Sequence, residues 1–118
     1  MKQSGWFSRI PVVAAGDFNS NVQWDAHRPG RNHTEVVCLL NGYGLISAYH
    51  SRLGEKQGAE TCPTYYFYRH QDKPFHIDYV FVPQGWKLRS VEVGSFREWG
   101  QLSDHVPVVV DVEVGLWQ

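Results

Sequence analysis

The chain is 118 residues long, 42% hydrophobic and 19% charged, with a net charge of −1; it falls in the ordinary soluble class and can hold one domain with its own core. Its eleven Lys and Arg residues are spread along the chain, so no basic run advertises non-specific attraction to a nucleic-acid backbone, and nucleic acid is neither implied nor excluded. No apolar run approaches the length of a membrane span, and the two cysteines, Cys38 and Cys62, form no C-x-x-C pair, so neither a disulfide framework nor a cysteine zinc site is signalled.

Residues 1 to 9 read as a loose lead-in. The apolar run Ile10 to Ala15 is too short for a secretory signal and reads better as a buried strand stopping at Gly16-Asp17. The compartment stays open, with the cytoplasm the favoured side. Ser20 to Asn32 is polar, with Pro29-Gly30 as a turn signal. Thr34 to Asn41 clusters its apolar residues on one helix face, with Asn32 as N-cap and Gly42 or Gly44 as the stop. Ser51 to Pro63 reads as a loop. Thr64 to Tyr68 and Phe75 to Val82 are expected to be the two strands of a hairpin. Lys87 to Val93 and Val106 to Val114 complete the strands, the last with Val108, Val110, Val112 and Val114 on one face and Asp111 and Glu113 on the other. One helix among several strands predicts an α/β layer.

Three polar clusters lie against these strands: Gly16-Asp17-Phe18-Asn19, His76-Ile77-Asp78-Tyr79-Val80-Phe81 and Ser103-Asp104-His105. A Gly-Asp after a strand is usually a turn, and a lone Ser-Asp-His is usually a loop or cap signal. Asp78 is harder to dismiss, because Asp is disfavoured inside strands and a buried carboxylate needs a cation, a metal or an imidazole N–H. His105 is its natural partner. Asp17 and Asn19, two apart, would point the same way from extended backbone and could position and deprotonate a water. Asp104 is a hard oxygen ligand suited to Mg²⁺ or Mn²⁺. His27, His33, His50 and His70 show no zinc spacing and are read as solvated, while His76 shares a strand face with Asp78.

Taken in order, GDFN, HIDYVF and SDHVPVVVDV closely resemble the three C-terminal motifs of the endonuclease/exonuclease/phosphatase superfamily. This DNase-I-like group includes pancreatic-type deoxyribonucleases, apurinic endonucleases, sphingomyelinases and inositol polyphosphate phosphatases. The resemblance runs from about Ile10 to Val114 and includes Thr64-Tyr65. It implies one mixed, mainly antiparallel sheet with a flanking helix, equivalent to the C-terminal half of a two-sheet sandwich, so that residues 1 to 118 form a single partial domain. It also implies a metal-dependent phosphoesterase, with Asp17 orienting or deprotonating water, Asn19 fixing water and phosphate, Asp78 orienting His105, His105 stabilising phosphoryl oxygens, and Asp104 binding Mg²⁺ or Mn²⁺.

Family members carry an upstream half that brings a metal-binding glutamate, and neither Glu35 nor Glu60 sits in a context resembling that motif. The alternative reading is a catalytically deficient half-domain that acts by binding or self-association, or a fragment of a longer enzyme. The substrate class is a phosphate ester, with nucleic acids, phospholipids and inositol phosphates all candidates. An open sheet face, apolar because helix packing covers only one side of the aromatic hairpin, predicts a homodimer or a covering partner.

Overall fold

The computed structural model describes residues 10 to 115; the expected lead-in, residues 1 to 9, lies outside them. The first strand starts later than its apolar run suggests. Pro11 has no amide to donate, and β1 occupies only Ala14–Asp17. It is an edge strand with three of its four residues exposed, so the expectation of a buried strand is corrected.

Helix α1, His33–Gly42, starts at Asn32, whose side-chain oxygen accepts the Glu35 amide at 3.0 Å, satisfying one of the free amides of the first turn. Gly44, at φ 83°, turns the chain into β2, Leu45–Ser47. There follows α2, Ala48–Leu53, closed by Gly54 in a left-handed conformation that costs glycine little. Neither β2 nor α2 was expected. The first is three residues and the second six, too short to impose a readable period.

The expected hairpin forms only at its root. β3, Tyr65–Tyr66, pairs with β4, Pro74–Phe75. Beyond β3 the chain enters a 3-10 turn, Phe67–Arg69, with Tyr68 at φ 53° and Arg69 at φ 58°, which strand pairing cannot accommodate. After Phe75 the chain leaves β3, and β5, Asp78–Pro83, runs between β1 and β2, antiparallel to both. β6, Lys87–Val93, is followed by the short helix α3, Phe96–Trp99, and by β7, Val108–Glu113, which pairs antiparallel with β6. Along β7, Val108, Val110 and Val112 are half-buried while Val109, Asp111 and Glu113 are exposed. Val114, expected to end the strand on the same face as Val108, Val110 and Val112, lies past it and is exposed.

The α/β class stands, with four antiparallel ladders distributed over three sheets among the described residues. Tyr79 and Phe81 of β5 form one cluster with Leu45, covered by Val37 and Leu40 of α1. Val82 forms another with Ala48, Tyr49 and Val91, against which Val80, Val108 and Val110 pack. β5 is therefore covered on both sides, and the premise that helix packing leaves one face of this strand open is corrected: α2 and the β6–β7 ladder provide the second cover. No helix among the described residues is long and apolar enough to cross a membrane.

Candidate active site

The three polar clusters meet where β1 ends and β5 begins. The β1–β5 register puts Asp17 directly opposite Asp78, and the Phe18 amide continues the contact to the Ile77 carbonyl at 2.9 Å. Two carboxylates facing each other across a ladder repel. His105 lies within reach of both: its Nδ1 is 3.0 Å from Asp78 Oδ2 and its Nε2 is 3.7 Å from Asp17 Oδ2. With Asp78 accepting the Nδ1–H, Nε2 is the ring atom turned toward Asp17. The Asp78 side chain is 18% exposed and that of Asp17 is 46% exposed, so one carboxylate stands behind the imidazole and the other meets solvent.

Thr64 fastens this arrangement. It is fully buried, and its Oγ1 accepts the amides of Ile77 at 3.0 Å and Asp78 at 3.1 Å. Its own amide donates to the Phe75 carbonyl, and its carbonyl accepts the Val106 amide at 2.9 Å. One residue thereby joins the start of β5 to the segment carrying His105. Next to it, Tyr65 pairs with His105 in an isolated antiparallel bridge, their rings 4.8 Å apart, and the Tyr66 amide donates to the Asp104 carbonyl at 2.7 Å.

A cleft of about 490 Å³ opens in front of these groups, lined by Asp17, Asn19, Asp104 and His105 together with Trp24 and Tyr65 among others. Asp78 is not on its wall and reaches it through His105. Asn19 is not in extended backbone as expected: it sits at φ 51°, a left-handed conformation that Asn tolerates better than most residues, and its amide donates to Asp17 Oδ1 at 2.7 Å. Asp104 lines the cleft but does not belong to the close group formed by the ligand atoms of Asp17, Asp78 and His105.

Two histidines read as solvated are not. His33 is 2% exposed and lies between Ser20 Oγ at 2.8 Å and Gln57 Oε1 at 2.9 Å. The His50 side chain is 9% exposed and its Nε2 is 2.7 Å from Glu60 Oε2. His27 and His70 are exposed, as expected. Sequence reasoning also missed Trp24 on the cleft wall, for which the polar stretch around it offered no signal. Thr64 entered only as a strand residue and as part of the resemblance, and its bond to the start of β5 is a long-range contact.

The family model described as Endonuclease/Exonuclease/phosphatase family matches residues 8 to 105. Comparisons with curated proteins and with solved structures gave no match.

Proposed function

This chain belongs to the endonuclease/exonuclease/phosphatase family, a superfamily of phosphoesterase-type hydrolases, and from that premise we propose that it hydrolyses a phosphate ester by in-line attack of water with Mg²⁺ or Mn²⁺ as cofactor. The observation that carries the reading is the pair of contacts made by His105: a carboxylate behind it at Nδ1 and, at Nε2, a second carboxylate on the wall of an open cleft.

In this reading Asp17 takes a proton from the attacking water as the new O–P bond forms, and the ester oxygen leaves on the opposite side with the electron pair of the broken bond. Asn19 holds the water and a phosphate oxygen with its amide group. His105, oriented at Nδ1 by Asp78, acts as the imidazolium and donates its Nε2–H to the phosphoryl oxygens as charge builds on them. The donor set suits a hard cation: Asp17 and Asp104 are carboxylates lining one solvent-open cleft, the pattern of a site that keeps several waters. Asp104 would hold the cation, which when bound supplies Lewis-acid charge to the phosphate.

No glutamate lines the cleft among the described residues, which favours the second reading, a half-domain of low activity that acts by binding. In that case the partner is a second copy. Its contact is the outer edge of β1, which no described strand pairs and beside which Ile10 and Val13 are 44% and 47% exposed, since an open edge invites another strand. Hydrolysis of bis(4-nitrophenyl) phosphate with Mg²⁺ or Mn²⁺ separates the readings. A metal-dependent rate that falls about 100-fold or more in Asp17→Ala and His105→Ala supports the enzyme; no rate above background leaves the binding module.

A further inference from the structure

A second constellation includes His76, two residues before β5, in side chains that the proposed reaction does not use. One ring nitrogen each from His50 and His76 and one carboxylate oxygen of Glu60 lie within 4.8 Å of one another. The group is enclosed: the His50 and Glu60 side chains are 9% and 3% exposed and His76 is 4% exposed. His76 Nδ1 is committed to the Cys62 carbonyl at 2.8 Å, so it carries the proton. The other ring nitrogen, Nε2, is buried and has no hydrogen-bond partner. A buried lone pair without a donor is costly, and a neutral imidazole fixed at one nitrogen by a carbonyl is the usual form of a metal-binding histidine.

The surroundings are those of supported ligands. Glu60 Oε1 accepts from Asn21 Nδ2 at 3.1 Å, and Oε2 accepts the Gly58 amide at 2.9 Å. His50 Nδ1 lies 2.6 Å from Ser47 Oγ and 3.3 Å from Gln57 Nε2. Burial works to raise the Glu60 carboxyl, but the bonds from His50, the Gly58 amide and Asn21 outweigh it and hold it down at about 2, so the group is an anion in any ordinary buffer. Burial pushes the His76 imidazole down as well, leaving it uncharged. An anion and an uncharged imidazole are the states a cation needs in its ligands.

We propose that His50 Nε2, Glu60 Oε2 and His76 Nε2 form a structural binding site for a divalent transition ion, Zn²⁺ above all. Two imidazoles and one carboxylate make a borderline-soft donor set that suits Zn²⁺ and disfavours Mg²⁺ or Ca²⁺. Loading the site shifts the His50 proton from Nε2 to Nδ1, where Ser47 Oγ accepts it, and draws His50 and Glu60 apart from their direct bond. The ion would pin the 54 to 63 loop to α2 and to the start of β5, just behind the residues that hold Asp78. The site is independent of the phosphoesterase reading.

The test uses the whole 118-residue chain stripped with chelator, titrated with Zn²⁺ alone and with Co²⁺ alone. To separate the two sites, the Asp17→Asn, Asp104→Asn double variant is titrated in parallel. One equivalent of Zn²⁺ is expected in both proteins, with a raised melting temperature and, for Co²⁺, the visible absorption of a low-coordinate nitrogen and oxygen site. In His76→Gln and Glu60→Gln the affinity should fall at least about 100-fold, the upper end of what losing an outer partner costs. Should those variants not fold, X-ray absorption at the zinc edge of the unmutated protein reads the ligands directly, and two imidazoles are expected. No bound zinc, an all-oxygen shell, or binding abolished by the double variant would overturn the site.

Discussion

Asp17 and Asp78 are register partners across the β1–β5 ladder, and His105 places one ring nitrogen near each carboxylate. The pairing assigns unequal duties to two like residues. In the proposed reaction the more enclosed carboxylate would fix the ring, and the one on the cleft wall would meet the attacking water.

Replacing Asp78 by Asn tests the first duty. An amide can present either a donor or an acceptor to Nδ1, so the imidazole is released from a single tautomer. The nitrogen-15 spectrum of His105 should move away from the Nδ1–H form. Any metal-dependent hydrolysis should fall by roughly two orders of magnitude or more, with circular dichroism unchanged. An unaltered tautomer would show that Asp78 does not orient the ring.

Thr64 offers a stability prediction. Thr64→Val keeps the shape but removes the oxygen that accepts the Ile77 and Asp78 amides, leaving two N–H groups short of a partner. Each costs about 1–3 kcal/mol, so denaturant unfolding should show a loss of roughly 2–5 kcal/mol. Thr64→Ser keeps the oxygen and should lose only about 1 kcal/mol for the missing methyl.

With chelator present, Glu60 makes folding pH-dependent. Its carboxyl is held at about 2 in the fold against an ordinary value near 4.3 when unfolded. The stabilisation, about 3 kcal/mol, is fully present above that ordinary value and is lost as the pH falls from there toward 2. His76, pushed down by burial, acts in the same direction from a higher starting point: below about 6.5 the unfolded chain gains a proton that the folded one resists. Thermal melts from neutral to acidic pH should fall in two stages, and Glu60→Gln should shrink the lower one; burial works to raise the Glu55 carboxyl, but its bonds from Thr61 and Tyr49 lower it, so part of the acid loss remains.

The edge of β1 that no described strand pairs predicts concentration-dependent association. Sedimentation should detect a dimer, and Val13→Lys should return it to monomer, since a charge beside an open strand edge opposes pairing. A monomer at all concentrations would remove the second copy from the binding reading.

What the sequence disclosed depended on element length and on distance along the chain. α1 has a full apolar face and a capping Asn32, and β6 coincides with its sequence reading because seven residues carry their own pattern. β2 and α2 have no such length. The Thr64 to Tyr68 strand was cut short because Tyr68 and Arg69 adopt left-handed backbone, which neither residue type announces. Asp17, Asn19, Asp104 and His105 could be nominated because each belongs to a short motif, and the cleft draws all four together. His50, Glu60 and His76 belong to no short spacing. Only folding brings them to one point, which is why His50 was read as solvated.

The central position of β5 bears on how the chain is made. β1 and β2 precede it in sequence and pair with it rather than with each other. While the protein emerges from a ribosome, both therefore wait without their ladder until Asp78 to Pro83 has cleared the exit tunnel. During that interval Leu45 lacks the Tyr79 and Phe81 rings that bury it, and two strand edges stand unpaired. The nascent first half is the stage at which this protein is most exposed to misassociation, whereas the β6–β7 pair joins segments close in sequence and forms soon after its residues appear.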